Sequence, residues 1–202
     1  MSEHPVLPGR IAPSNHADSE HSWPVASTTE RYSSHYLTVR TDAIVDPSGQ
    51  THDRVIVQPR GAVGIVAMDD EDRILLVEQY RHSVGARLLE IPAGTLDVAG
   101  EDARTTAERE LAEEGDIAAD QWEELFTMAA TPGYSTERWT LFRASGLHAI
   151  PPEARIDRHA EEADLDQWWM PLEDAVEGVL HGRISDALTV AGILAERVRR
   201  LS

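Results

Sequence analysis

The chain has 202 residues, a length that suits one globular domain with a sizeable core. Thirty-six acidic residues against eighteen basic ones give a net charge of −18, which argues against a nucleic-acid partner because a phosphate backbone needs a basic footprint. All eighteen basic side chains are arginine and cysteine is absent, so Schiff-base and P-loop lysine chemistry, thiol catalysis, thiolate metal sites and disulfides are excluded.

Residues 1–22 carry no periodicity and few large apolar groups, and read as a disordered tail. The spacing of His4, His16 and His21 there matches no metal motif. No stretch approaches the roughly 20 apolar residues of a membrane-spanning helix, and the start has no apolar signal region. The expectation is a cytoplasmic protein without a membrane partner.

From 28 to 60 the pattern is strand-like, with β-prone runs at 36–39 and 55–57 and a Pro47-Ser48-Gly49 turn between them. The apolar run 62–68, the acidic turn 69–72 and the run 74–80 predict a hairpin. A short β-like run at 88–91 is stopped by Pro92. Ala103, Ala107 and Leu111 form one apolar stripe and predict a helix over 102–114. Strands follow at 122–130 and 139–144 around Pro132-Gly133, and a further short strand at 168–170. Helices over 172–180 and 185–201 complete the chain. Arg197, Arg199 and Arg200 suit the negative end of the last helix. The fold class is α+β, with mixed strands around one prominent central helix.

The chemistry concentrates between Gly94 and Ile117. On a helix, Glu110 and Glu114 lie one turn apart on the same face, with Glu113 close by. Carboxylates that close repel, and a hard cation such as Mg²⁺ or Mn²⁺ removes the repulsion and can bridge to phosphate oxygens. Arg109 is placed to pair with a neighbouring glutamate. A solvated acidic helix face would use the same residue types. The loop holding Gly94 and Gly100, which leads from an Ile-Pro-Ala-Gly segment straight into the helix, favours a site.

This segment resembles the Nudix box, GX5EX7REUXEEXGU, where U is aliphatic. Glu101, Arg109, Glu110, Leu111, Glu113, Glu114 and Ile117 fall on its positions. The opening from Gly94 to Glu101 is one residue longer than the pattern. Asp116 stands at the final glycine position, with Gly115 one place early. Glycine there often supplies φ > 0 at a helix exit, and Asp tolerates that conformation better than most residues.

Outside the box, Gln79-Tyr80-Arg81 with Glu90-Ile91-Pro92-Ala93-Gly94 resembles the ADP-ribose pyrophosphatase branch of the family. So does Pro132, sixteen residues beyond Asp116, and so does the acidic loop His159-Ala160-Glu161-Glu162. The likeness runs from about residue 54 to 195 and is greatest to the actinobacterial form, whose box shares the longer opening. It implies a Nudix-type α/β/α sandwich with a mixed sheet over 61–202. A small N-terminal β-domain over 23–60 would be exchanged across a homodimer.

The resemblance also implies roles. Glu110 and Glu114 would be the principal ligands of two or three Mg²⁺ (or Mn²⁺) ions. Glu113 would ligate directly or through water, and the Ala93 carbonyl would be a further ligand. Glu162 would be the general base, with Glu161 its rival, and Arg109 and Glu113 would complete the catalytic set. Arg81, Glu90, Pro132, Gly133 and Tyr134 would meet the substrate, and Arg54 would reach the partner's nucleotide site. The implied reaction is hydrolysis of ADP-ribose to AMP and ribose 5-phosphate. Two alternatives stay open: another nucleoside diphosphate sugar or dinucleotide as substrate, and a non-catalytic ADP-ribose-binding protein.

Overall fold

The computed structural model describes residues 2, 3, 6–156 and 164–201. Up to residue 59 the described elements are all strands. Ser2–Glu3 (β1) pairs antiparallel with Arg10–Ile11 (β2). Val25–Ser33 (β3), Leu37–Val45 (β4) and Thr51–Pro59 (β5) make an antiparallel sheet in that order. The turn from β4 to β5 is tied by Asp46, whose Oδ1 accepts from the amides of Ser48 at 2.8 Å and Gln50 at 2.9 Å. β3 is exposed along its whole length, and the sequence showed strand character only from residue 28.

The remaining strands are Ala62–Ala67 (β6), Arg73–Arg81 (β7), Ala86–Glu90 (β8), Ala93–Thr95 (β9), Ile117–Ala129 (β10), Arg138–Ala149 (β11) and Asp166–Pro171 (β12). The helices are Ala103–Gly115 (α1), Leu172–Leu180 (α2) and Ala187–Arg199 (α3). One sheet has the order β10-β11-β6-β9 and is mixed, with β11 and β6 parallel; a second has the order β12-β7-β8 and is antiparallel.

The runs at 62–68 and 74–80 do not form the expected hairpin. They share a tight turn and one bridge, Met68 to Ile74, and then enter different sheets. The reason is that neither strand has a free edge: β6 is paired by β11 and β9, and β7 by β12 and β8. β9 itself escaped the sequence because three residues are too short for a period to show.

Alternation along the central strands divides the core. Val63, Ile65 and Ala67 of β6 pack with Ala107 and Leu111 of α1 on one side. Val66 and Met68 pack with Leu188 and Ile193 of α3 and with Leu172 and Ala175 of α2 on the other. Both faces of β6 are therefore covered, which is why its sequence reads as an unbroken apolar run. The result is an α/β/α sandwich. On α3, Glu196 is wholly buried yet charged-partnered, by Arg143 of β11 at 3.1 Å and by Arg200 at 2.9 Å. No helix among the described residues is long and apolar enough to cross a membrane.

Several carboxylates titrate below their usual range. Asp42 is held down by hydrogen bonds from Arg40 and Thr28. Asp46 is held down by Ser48 and His52, and Asp102 by the Thr105 amide. A folded-state pKa below the unfolded one gives stability that is present above about pH 4 and lost as pH falls through the folded values. Urea midpoints are therefore expected to be flat above about pH 5 and to fall steadily in stronger acid. Midpoints that rise between about pH 4 and pH 3 would contradict these assignments.

Candidate active site

α1 starts where the sequence places it. The Asp102 side chain accepts from the Thr105 amide at 2.8 Å and caps the first turn. The residue that lengthens the box opening is absorbed in an exposed loop, where the Glu101 amide donates to the Val98 carbonyl at 3.2 Å. The helix ends on Asp116, which takes the left-handed conformation (φ 54°, ψ 32°) and donates its N–H to the Ala112 carbonyl. Aspartate thus supplies the turn that the box gives to glycine, without disturbing the helix exit. Gln167 of β12 completes the end, its Nε2 donating to the Glu114 carbonyl at 2.7 Å.

Glu110 and Glu114 are both nearly buried, at 8% and 5% exposure. Glu114 Oε2 accepts from the Ala93 amide at 2.9 Å. Glu110 lies directly over Gly94: a Cβ there would sit 2.0 Å from its Cδ and 2.1 Å from its Oε1. The two turn-apart carboxylates therefore face consecutive residues of one strand, β9.

Arg109 gathers the other carboxylates. Its Nη1 is 2.7 Å from Glu110 Oε1 and 2.9 Å from Glu113 Oε2, and its Nη2 is 3.3 Å from Glu101 Oε2. Burial penalises the guanidinium, yet the Glu110 charge, the Glu101 hydrogen bond and the Glu113 charge outweigh it and raise its pKa. Glu101 is held low chiefly by the Thr106 hydroxyl, with Arg109 adding to it against burial.

Among the described residues no acidic or histidine side chains stand together as a ready-made metal cluster. Three of the four box glutamates turn to Arg109, and the fourth turns to Ala93. The donor set still suits a hard divalent cation. Three carboxylates surround one guanidinium and a fourth, Glu114, lies one turn along α1 from Glu110; Glu110 and Glu114 are nearly buried, and that excess of negative charge favours a cation there.

Arg81 and Glu90, both expected at the site from the sequence, pair with each other. Arg81 Nε and Nη2 donate to Glu90 Oε1 and Oε2 at 2.8 and 2.6 Å, and Gln79 Nε2 donates to Oε2 at 3.4 Å. The Glu90 hydrogen bond raises the Arg81 pKa against burial, and the charges of Glu114 and Asp186 add to it. Arg81 is therefore within the field of the box helix, although its direct partner is Glu90.

The loop from β10 to β11 carries Pro132, Gly133 and Tyr134. It is tied to the N-terminal sheet: the Val57 amide donates to the Tyr134 carbonyl at 2.8 Å, and the Thr136 amide to the Val57 carbonyl at 3.1 Å. The Tyr134 ring is exposed. Arg54, on β5, is exposed and donates to the Asp53 carbonyl. Glu161 and Glu162 lie outside the described residues.

Sequence reasoning missed Gln167, whose partner is 53 residues away. It also missed the steric part of Gly94, which it read as a motif position only. No local pattern announces either contact.

The NUDIX domain model matches residues 58–188. An ADP-ribose pyrophosphatase of Mycobacterium tuberculosis is 40% identical over 177 residues, covering 88% of this chain and 84% of that protein. A methanol dehydrogenase activator of Bacillus methanolicus is 36% identical, covering 82% of this chain and 88% of that protein. The crystal structure of an ADP compounds hydrolase shares the fold, with a TM-score of 0.75, 22% identity, and coverage of 90% of this chain and 95% of that one. With the box carboxylates and their arginine assembled on α1, and the match running from the last N-terminal strand into α3, the chain belongs to the NUDIX domain family.

Proposed function

We propose that this protein hydrolyses the diphosphate of ADP-ribose to AMP and ribose 5-phosphate, using Mg²⁺, or Mn²⁺ in its place, at two or three ions per site. The observation that carries the substrate is the 40% identity to an ADP-ribose pyrophosphatase along 88% of the chain. The intact box carboxylates support turnover over mere binding, because a site without metal chemistry has no use for Glu110, Glu113 and Glu114 crowded on one helix.

Glu110, Glu114, Glu113 and the Ala93 carbonyl would hold the cations. Bound there, a divalent cation neutralises diphosphate charge and makes water more acidic. The chain's own residues do the rest. Arg109 fixes the rotamers of Glu110 and Glu113 by pairing with both. Arg81, its guanidinium oriented by Glu90, faces the diphosphate or the terminal ribose. Glu162, or its neighbour Glu161, takes the proton of the attacking water. The water oxygen bonds to phosphorus, the bridging P–O bond breaks, and its electron pair leaves with the departing phosphate. The sheet of β3, β4 and β5 would be the element exchanged in a homodimer, bringing Arg54 to the partner's site. Tyr134 would neighbour the terminal ribose.

The test is product formation from ADP-ribose with Mg²⁺, with and without EDTA, beside ADP-glucose, GDP-mannose and NADH. EDTA-sensitive release of AMP and ribose 5-phosphate, with ADP-ribose well ahead, is expected. Preference for another sugar nucleotide would keep the mechanism and overturn the substrate. Binding of ADP-ribose without turnover would overturn the enzyme.

A further inference from the structure

The turn that faces the box carboxylates is held from the far side of the molecule. Thr189, in the first turn of α3, is wholly buried. Its Oγ1 accepts from the Ile91 amide at 2.9 Å and donates to Asp186 Oδ2 at 2.7 Å. The direction is fixed by chemistry. An ionised carboxylate offers no proton, so the hydroxyl must spend its own on Asp186 and present a lone pair to Ile91. The same Asp186 oxygen accepts from the Thr189 amide at 2.8 Å, so the helix cap and the hydroxyl are one unit.

Ile91 lies just past the end of β8, where the ladder with β7 has stopped at Glu90. Its amide therefore needs a partner from elsewhere, and Thr189 supplies it across 98 residues of sequence. The next peptides are equally fixed. The Pro92 carbonyl accepts from the Ile65 amide at 2.8 Å, and the Ala93 amide donates to Glu114 at 2.9 Å. Gly94 then lies under the Glu110 carboxylate. Four consecutive residues thus each have an assigned contact, and Thr189 sets the first.

We infer that Thr189 is a positioning residue for the cation-binding end of the site: its hydroxyl, oriented by Asp186, holds the Ile91 amide and so sets the Pro92-Ala93-Gly94 turn against Glu114 and Glu110. The inference rests on the reading of those glutamates as cation ligands. It assigns α3, which carries no box residue, a part in cation affinity. Partners one step removed from a ligand commonly change metal affinity by about 10- to 100-fold when removed.

The experiment is Mn²⁺ binding to the full chain by calorimetry, with Mg²⁺ activation curves for ADP-ribose and Tm without metal. Thr189→Val keeps the shape and removes the hydroxyl. It is expected to weaken Mn²⁺ about tenfold and to raise the half-activating Mg²⁺ by a similar factor. Thr189→Ser keeps the hydroxyl and loses a buried methyl. It should lower Tm while holding Mn²⁺ affinity within about twofold of the wild type. Asp186→Asn, which still caps the helix but no longer fixes the hydroxyl proton, should weaken Mn²⁺ in the same direction by less, and it serves if Thr189→Val does not fold. Normal Mn²⁺ binding by Thr189→Val, or by Asp186→Asn where that variant stands in, overturns the inference, as does equal loss in Thr189→Ser and Thr189→Val. A wild-type chain that binds no Mn²⁺ overturns the function reading itself, and this inference with it.

Discussion

Replacing Glu114 with glutamine is expected to lower kcat on ADP-ribose by about a thousandfold while KM changes less than about tenfold. Glu114 is 5% exposed and holds the Ala93 amide at 2.9 Å. Glutamine keeps an oxygen for that amide, so the turn stays in place and the packing of α1 is unchanged. What disappears is one negative charge among four. A cation that neutralises a phosphorus centre supplies several kcal/mol in the transition state, and about 4 kcal/mol corresponds to a thousandfold. In the proposed function the adenosine and terminal ribose bind through groups other than Glu114, so the loss falls on kcat. The control is Glu108→Gln. Glu108 is exposed and paired with Arg104 at 2.6 Å, outside the Arg109 cluster, and its variant should turn over normally. A Glu114→Gln enzyme within about threefold of wild-type kcat at saturating Mg²⁺ would remove Glu114 from the ligand set.

The chemistry of α1 was legible because it is local. The apolar stripe and the acidic face lie within one helix, and their spacing alone puts Glu110 and Glu114 on one face. The left-handed Asp116 was legible for the same reason: a helix exit asks for φ > 0 and aspartate accepts it. The pairing of strands was not legible. β6 and β7 are apolar on both faces, so their sequences say that they are buried and nothing about which strand lies beside them. The same holds for the contacts that finish the site. Gln167 to the Glu114 carbonyl and Thr189 to the Ile91 amide join residues 53 and 98 positions apart, and each involves a backbone group that every residue carries. Asp186 caps the start of α3 through the amide and the hydroxyl of Thr189. That the same hydroxyl also serves a strand end opposite the box follows only from the packing of α3 on β6.

Gly94→Ala is the second large effect, an expected fall in kcat of about a hundredfold in a chain that still folds. A Cβ at this position would lie 2.0, 2.1 and 2.3 Å from Cδ, Oε1 and Cγ of Glu110, distances that no folded protein sustains. Either the strand or the glutamate must move. The strand is the stiffer of the two: Gly94 pairs with Val63 in the β6–β9 ladder, and the preceding amide is held by Glu114. Glu110 is a flexible side chain paired with Arg109, so it swings away, and a displacement of about 1 Å at a reacting group costs on the order of a hundredfold. The overpacking itself should cost about 1–3 kcal/mol, visible as a lower Tm. Gly100→Ala separates the two consequences. Gly100 is needed for its φ of +87°, and a Cβ there meets nothing, so that variant should lose stability by about 1 kcal/mol and keep its kcat. If Gly94→Ala instead behaves like Gly100→Ala, destabilised but fully active, the Glu110 carboxylate does not need the place over Gly94 that the fold gives it, and its role as a ligand fails with it.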